Sequence, residues 1–299
     1  ARFDDRITNT PALFAPKARI IHIDVDPASI SKIINADIPI VGQVKDSIAA
    51  LIKEIKRSKL KIDSDALDSW NSQISTWRAK HGLDHELYLK KNKSKMILPQ
   101  VVVQELYQAT DGNAWVTSDV GQHQMFVAQY YHFNKPRRWI NSGGLGTMGF
   151  GLPAAMGAKL AYPKDEVVCV TGEGSIQMCI QELSTCLQYN LPIKIININN
   201  EALGMVRQWQ DMNYGGRHSA STYADSLPDF VKLAESYGHV GMKVTKQSQL
   251  RKTLDKAFAM KDRLVFVDVY VDPNEHVYPM LVAPSGSMKD MWIKKNTKA

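Results

Sequence analysis

The stretch Glu166-Val-Val-Cys-Val-Thr-Gly-Glu-Gly-Ser175 decides the fold, together with Ile193-Lys-Ile-Ile-Asn-Ile-Asn-Asn200 further along the chain. The apolar, β-branched runs Glu166–Thr171 and Ile193–Ile198 are typical of buried strands. Between them, Ser175–Tyr189 has the spacing of a helix and ends just before a proline. The apolar residues expected on one side of this helix are Ile176, Cys179, Ile180, Leu183 and Leu187. The sequence therefore predicts a β-α-β unit with parallel strands and a right-handed connection.

Two oxygen-bearing side chains follow these strands, Glu173 after the first and Asn200 after the second. Because the carboxyl ends of parallel strands meet at one edge of a sheet, where open α/β sheets bind ligands, we expect the two side chains to be neighbours. Mg²⁺ prefers about six oxygen ligands and usually takes several from phosphates and water. The pattern predicts a Mg²⁺-diphosphate site, although the Gly-Glu-Gly-Ser tetrapeptide alone fits an ordinary strand-turn-helix equally well.

Longer stretches support the ligand-binding interpretation. Gly-[Asp/Glu]-Gly-Ser followed about 27 residues later by Asn-Asn resembles the diphosphate-binding motif of thiamine-diphosphate enzymes. Within that group the chain is most similar to the catalytic large subunits of the acetohydroxyacid synthase (acetolactate synthase) family. The stretches that carry this resemblance are Arg2-Phe-Asp-Asp-Arg6, Val120-Gly-Gln-His-Gln-Met125, Ser142–Gly151, Gln181-Glu-Leu183 and Gly204-Met-Val-Arg-Gln-Trp-Gln210.

The resemblance implies a set of site residues. Mg²⁺ would be held by the side chains of Glu173 and Asn200 and by the main-chain oxygen of Ala202, and Trp209 would size the pocket for the second substrate. Residues that would contact thiamine diphosphate are Val120, Gly121, Gln122, His123, Gly146, Met148, Gly172, Glu173, Gly174, Ser175, Asn200, Gly204, Met205 and Val206. Many family members carry Asp where Glu173 stands. Without the resemblance, Met205, Val206 and Trp209 would be interpreted as a core stripe of a helix.

A dinucleotide site is the main rival. Gly144-Leu-Gly-Thr-Met-Gly149 matches the GxGxxG fingerprint, which requires an acidic residue about 20 positions later at the end of the next strand. Asp165 has that distance but precedes the strand Glu166–Thr171. This placement argues against a nicotinamide dehydrogenase.

The resemblance also implies FAD in a central domain, with Arg2, Asp4, Arg6 and Asp24 as contacts. Gln43 stands where the family usually has an acidic residue. The family's catalytic subunit has three α/β domains and about twice this length, so the chain is expected to be a C-terminal fragment. The glutamate that activates the cofactor would lie in the absent domain, so no catalytic residue is assigned and no turnover is expected from the chain alone.

The predicted architecture is α/β. Residues 1–62 are expected to be the remnant of a Rossmann-like central domain, 63–95 a helical connector, 96–285 a doubly wound parallel-sheet domain that binds thiamine diphosphate, and 286–299 a tail. In the first part, we expect a strand at Ala18–Val25, a helix from Pro27, and an amphipathic helix over 45–59. That second helix should turn Ile48, Leu51, Ile52 and Ile55 inward.

The family resemblance implies an enzyme of branched-chain amino acid (isoleucine and valine) biosynthesis. It decarboxylates pyruvate and transfers the two-carbon unit to a second pyruvate or to 2-oxobutyrate. A homodimer or larger assembly and a small regulatory subunit are implied as partners. A pyruvate oxidase or a glyoxylate carboligase is the nearer alternative, and a cofactor-binding module without turnover is the farther one.

The composition argues against a nucleic-acid-binding, a membrane-spanning or a disulfide-bonded protein. The chain has 299 residues and a formal charge of +7, but its lysine runs have no recognised nucleic-acid-binding module beside them. No apolar run approaches the roughly 20 residues of a membrane span. The odd count of three cysteines, without metal-ligand spacing, favours reduced structural thiols and a cytoplasmic setting.

Overall fold

The computed structural model describes Phe3 and residues 8–58, 60–81, 94–223, 226–281, 290–294 and 297–298. The chain divides into two compact units. One consists of residues 88–277, and the other of residues 1–87 together with 278–299.

A six-stranded parallel sheet forms the centre of the unit 88–277. Its strands in chain order are β3 (Trp115–Ser118), β4 (Trp139–Asn141), β5 (Val167–Thr171), β6 (Lys194–Asn199), β7 (Val240–Val244) and β8 (Val265–Tyr270). They lie in the spatial order β4-β3-β5-β6-β8-β7, and every neighbouring pair is parallel. The predicted α/β fold with a parallel sheet is confirmed.

The central strands are buried on both faces. All five residues of β5 and all six of β6 are buried, and side chains of successive strand residues point to opposite faces. Cys169 of β5 and Ile195 of β6 face a core cluster that also contains Phe266. Helices must therefore cover both faces, which explains why these strands are continuous apolar runs in the sequence.

The first helix of this unit precedes β3, and the other helices connect consecutive strands. The helices are α3 (Pro99–Thr110), α4 (Gln122–Tyr130), α5 (Gly151–Ala161), α6 (Glu173–Ile176), α7 (Glu182–Gln188), α8 (Gly204–Asn213), α9 (Phe230–Ser236) and α10 (Gln247–Ala259). In the described ranges, none of the chain's helices has both the length and the apolar character needed to cross a bilayer. The three cysteines are free, buried thiols.

The segment after β5 differs from its prediction. Instead of one helix over Ser175–Tyr189, the chain forms α6, a 3-10 turn at Gln177–Cys179 and then α7. Hydrogen bonds from Leu183 N to Ile180 O and from Ser184 N to Gln181 O span only three residues, so the backbone is wound more tightly there. Leu187, predicted to face inward, is exposed.

The other unit contains two small sheets. β1 (Ile21–Asp24) and β2 (Ile38–Val41) are parallel, and β9 (Met280–Leu281), β10 (Met291–Lys294) and β11 (Thr297–Lys298) form an antiparallel sheet that was not predicted. Its helices are α1 (Val44–Ser58) and α2 (Ser64–His81).

Two predictions in this unit were wrong. The helix expected from Pro27 is only a 3-10 turn at Pro27–Ser29, because the backbone becomes extended at Ile30. The apolar face of α1 is not buried: Ile48, Leu51, Ile52 and Ile55 are each between 42% and 52% exposed. The periodicity correctly indicated an amphipathic helix, but among the described residues none covers that face.

Candidate cofactor and metal site

The predicted site lies where two adjacent strands end. β5 and β6 are neighbours in register, with Val168 opposite Lys194 and Thr171 opposite Asn197. Gly172 follows β5, and Asn200 follows β6. Since both strands run in the same direction, the two following segments emerge at the same edge of the sheet.

Glu173 and Asn200 converge at this edge. Glu173 begins α6 and is 1% exposed. Its Oε1 accepts a hydrogen bond of 2.6 Å from the Ala202 N–H, and Asn200 Oδ1 accepts from the same N–H at 3.3 Å. The carboxylate and the amide oxygen that the sequence suggested as metal ligands therefore lie beside one another.

The bridge formed by Ala202 indicates the side of the strand on which its carbonyl oxygen lies. Ala202 forms an isolated antiparallel bridge with Thr222, flanked by bonds from Leu203 N to Ser221 O and from Tyr223 N to Glu201 O. In such a pair the N–H and C=O of the central residue both point away from the partner strand. Because the Ala202 N–H points at Glu173 and Asn200, its carbonyl oxygen lies on their side as well.

The buried position of the Glu173 carboxyl favours the binding of a cation beside it. Burial raises the pKa of its carboxyl to about 8, and the nearby Asp268 adds to the rise. A buried carboxylate without a positive partner is costly, and a bound cation removes that cost. Within the described residues no group of three or more His, Cys, Asp or Glu side chains could hold a metal ion. A cation here would need amide, main-chain and phosphate oxygens as further ligands, which is the oxygen-rich set that Mg²⁺ accepts.

His123 lies between two glycines. A Cβ atom on Gly121 or on Gly172 would stand 2.8 Å from ring atoms of His123, so both positions require glycine for this close packing. Burial lowers the pKa of the His123 imidazole to about 4. In the described part of the chain its buried Nε2 has no hydrogen-bond partner. An unpartnered buried nitrogen at this edge fits a polar ligand group such as a phosphate oxygen.

A chain of side-chain amides leads away from Asn200. Asn200 Nδ2 donates to Gln122 Oε1 at 2.9 Å, and Gln122 Nε2 donates to Gln208 Oε1 at 2.8 Å. Gln208 is fully buried and bonds the main chain of Val277 at both ends of its amide. Both polar atoms of the Gln122 amide are thus engaged within the protein, whereas the sequence predicted a contact from Gln122 to the diphosphate.

The loop before α5 is fixed by a carboxylate that the sequence analysis missed. Asp119, directly after β3, is fully buried and accepts hydrogen bonds from the N–H groups of Val120, Gly149 and Gly151 at 2.8 to 3.1 Å. The loop contains Gly146, whose φ of +67° suits glycine, and Met148. Asp119 therefore attaches the loop to the end of β3, and Ser175 Oγ donates to Val120 O beside it.

The apolar residues of α8 are not a core stripe. Val206 is 46% exposed, Trp209 is 38% exposed, and Met205 is half-buried, whereas the buried residue of this helix is Gln208. The first turn approaches the amides closely: a Cβ on Gly204 would clash with Gln122 and Asn200. A Cβ on Gly174 would clash with Tyr223 and Leu203.

The predicted FAD contacts are only partly described. Arg2, Asp4 and Arg6 lie outside the described residues. Asp24 ends β1, and its Oδ1 accepts from the Asp26 N–H at 2.9 Å, which lowers the pKa of the Asp24 carboxyl.

Family models match both units of the chain. Residues 119–269 match the C-terminal thiamine pyrophosphate (TPP) binding domain of thiamine pyrophosphate enzymes, and residues 1–51 match the central domain of the same enzymes. The first match covers the site described above. The chain belongs to the thiamine pyrophosphate enzyme family. Thiamine pyrophosphate is the same compound as thiamine diphosphate, so the predicted cofactor class is confirmed.

Within this family, the chain is similar to large subunits of acetolactate synthase. It is 54% identical to the isozyme 3 large subunit of Escherichia coli over 99% of the chain and 51% of that protein. It is 54% identical to the large subunit of Haemophilus influenzae over 98% of the chain and 50% of that protein. The acetolactate synthase of Mycobacterium bovis is 41% identical over 94% of the chain and 45% of its own length. The chain thus spans about half the length of these relatives, and the predicted resemblance is confirmed.

Proposed function

We propose that the protein acts as the catalytic large subunit of an acetolactate synthase. In this role it decarboxylates pyruvate and transfers the two-carbon unit to a second pyruvate or to 2-oxobutyrate. The observation that carries the proposal is the convergence of Glu173 Oε1 and Asn200 Oδ1 on the Ala202 N–H, inside a thiamine pyrophosphate binding domain. The similarity to acetolactate synthase large subunits supports this reaction within the family.

The chain's own residues would hold the cofactor through its diphosphate. Glu173, Asn200 and the Ala202 carbonyl oxygen supply three ligands to Mg²⁺, and the diphosphate oxygens and water supply the rest. Residues 120–123 and 172–175 follow β3 and β5 at the same edge of the sheet and would contact the diphosphate, Gln122 through the N–H of its amide that does not bond Gln208. Thiamine diphosphate supplies the nucleophilic carbon and the electron sink for the carboligation, while the protein binds and orients it and excludes water.

The remaining assignments extend the proposal. Gly146, Met148, Gly204, Met205 and Val206 contact the cofactor, and Trp209 sizes the pocket for the second 2-oxoacid. Val206 and Trp209 are exposed enough in this structure to contact a ligand. Asp24 contributes to an FAD site together with Arg2, Asp4 and Arg6. The working enzyme is a homodimer or a larger assembly in the cytoplasm, with a small regulatory subunit.

A chimaera tests the proposal. This chain replaces the matching half of the Escherichia coli isozyme 3 large subunit, and acetolactate is measured from pyruvate with thiamine diphosphate, Mg²⁺ and FAD. We expect acetolactate formation by the chimaera and none by the same chimaera carrying Glu173→Gln. Oxidation of pyruvate without acetolactate would instead indicate a pyruvate oxidase. A folded chimaera that binds the cofactor but produces neither product would contradict the proposal.

A further inference from the structure

The amide chain formed by the side chains of Asn200, Gln122 and Gln208 and the main chain of Val277 has a defined polarity. Gln208 Nε2 donates to the Val277 carbonyl oxygen at 2.9 Å, and the Val277 N–H donates to Gln208 Oε1 at 2.9 Å. A main-chain N–H only donates and a carbonyl only accepts. The orientation of the Gln208 amide is therefore fixed by the backbone.

The orientation of the Gln208 amide determines how the amides of Gln122 and Asn200 are oriented. Because Gln208 Oε1 is an acceptor, Gln122 presents Nε2 to it and must turn Oε1 towards Asn200. Asn200 then presents Nδ2 to Gln122, which leaves its Oδ1 on the side of Glu173 and Ala202. If the amide of Asn200 were reversed, two acceptor oxygens would face each other and Nδ2 would oppose the Ala202 N–H. Both contacts are unfavourable in a buried place.

We infer that Gln208 is a positioning residue, which sets the Asn200 carbonyl oxygen towards the metal through Gln122. The inference rests on the proposed function, since it assigns Asn200 Oδ1 to Mg²⁺. Gln208 does not need to touch the cofactor for this role, and its own hydrogen bonds are complete within the protein. Residues that hold metal ligands in this indirect way commonly change metal affinity by about 10- to 100-fold when replaced.

Binding of Mn²⁺ in the presence of thiamine diphosphate tests the inference without any turnover. Electron paramagnetic resonance measures the free Mn²⁺ and gives the dissociation constant. We expect Gln208→Met to weaken Mn²⁺ binding about tenfold or more, because Gln122 is then free to reverse. Gln249→Met is the matched control: Gln249 Oε1 also accepts two main-chain bonds, from Thr245 and Lys246, but on α10 and without a link to Asn200. It should leave the Mn²⁺ affinity unchanged.

A double-mutant cycle separates positioning from general damage. In an Asn200→Asp background either carboxylate oxygen can face the cation, so the polarity of the amide chain no longer matters. Gln208→Met should then cause no further loss of Mn²⁺ affinity. An equal loss in both backgrounds, or no loss in either, would overturn the inference.

Gln208→Glu keeps the test decisive if Q208M does not fold. A protonated carboxyl at this buried position still accepts from Val277 N and from Gln122 Nε2 and donates its O–H to the Val277 carbonyl oxygen, so the polarity of the chain is retained. We expect Q208E to bind Mn²⁺ nearly as well as the unsubstituted chain, and a loss of tenfold or more would contradict the inference. If the unsubstituted chain itself binds no Mn²⁺, the proposed function fails first and the positioning role with it.

Discussion

At the scale of single residues, the role proposed for Glu173 in cation binding comes with a cost in stability. Its side chain is 1% exposed and burial raises the pKa of its carboxyl to about 8, so the charged form is disfavoured in the folded protein until a cation binds. Removing the charge of Glu173 is therefore expected to leave the stability of the ligand-free protein equal or higher and to weaken cation binding.

Glu173→Gln separates these effects. The amide oxygen of the glutamine can still accept from the Ala202 N–H, so the melting temperature without ligands should stay the same or rise. Ligands present at 100 times their dissociation constant stabilise a protein by about 2.7 kcal/mol, which raises its melting temperature. In E173Q this increase on adding Mg²⁺ and thiamine diphosphate should disappear, because the variant lacks the carboxylate proposed to bind the cation. Differential scanning fluorimetry measures both quantities. A ligand-induced increase that survived in E173Q would place the cation elsewhere.

Gly204 is expected to be intolerant of a side chain. A Cβ there would push apart the amides of Gln122 and Asn200, so Gly204→Ala should lower the free energy of unfolding by about 1–3 kcal/mol and weaken cofactor binding. Gly157→Ala is the control, because Gly157 lies in α5 with no neighbouring atom within 4 Å of the added carbon. That change should stabilise the protein by about 0.5–1 kcal/mol. Urea unfolding of both variants checks the pair, and equal effects would contradict the close-approach argument.

At the scale of strands and helices, β6 begins with a buried lysine. Lys194 is fully buried, donates to the Arg263 carbonyl oxygen at 3.2 Å and lies 3.8 Å from Glu166. Burial lowers the pKa of its ammonium group to about 8, and the attraction of Glu166 only partly offsets this. The charged lysine is thus less stable in the folded state than in the unfolded chain.

Lys194→Met should therefore stabilise the protein at neutral pH, by about 1–2 kcal/mol. The unfolded state binds more protons than the folded state between the two pKa values, so the stability of the unsubstituted chain rises with pH across that window. The advantage of the variant should accordingly be full below pH 8 and fade as the pH rises towards the unfolded lysine's value near 10.5. Unfolding in urea at pH 7 and pH 10 measures the difference between the two proteins.

Lys261 provides the comparison for that experiment. It is exposed and pairs with the same Glu166 at 2.6 Å, so Lys261→Met removes a charge without relieving a buried one. We expect no stabilisation from K261M at either pH. A similar gain in both variants would show that the effect comes from net charge and not from the burial of Lys194.

The sequence was most informative for strands that are buried on both faces of the sheet. β5 and β6 could be predicted because their buried faces leave continuous apolar runs, and the topology then brought Glu173 and Asn200 together. The break between α6 and α7 could not be predicted, since Ile176, Cys179 and Leu183 stay buried through the 3-10 turn and keep the helical pattern. The roles of Asp119 and Gln208 could not be predicted either, because neither residue belongs to a periodic apolar pattern. Each binds main-chain groups of segments that only the folded structure brings near it.

At the scale of the whole molecule, the site and its supporting residues lie in one unit. The six-stranded sheet, the predicted metal ligands and the amide chain all fall within residues 88–277. This unit is expected to fold when produced by itself and to retain Mg²⁺-dependent binding of thiamine diphosphate. Circular dichroism and calorimetric titration check the two properties, with E173Q as the non-binding control. An unfolded product would show that the rest of the chain is needed to stabilise the sheet.

The hydrogen bonds between the Gln208 amide and the main chain of Val277 can form only late in synthesis. A ribosome releases β5, β6 and Gln208 long before Val277, the last residue of the unit 88–277. Glu173 and Asn200 become neighbours once β5 and β6 have paired, but the backbone that orients Gln208 does not yet exist. If Glu173 and Asn200 bind the cation as proposed, a nascent chain brings them together before the Asn200 amide is oriented, and we expect tight cation binding only after residue 277 has emerged.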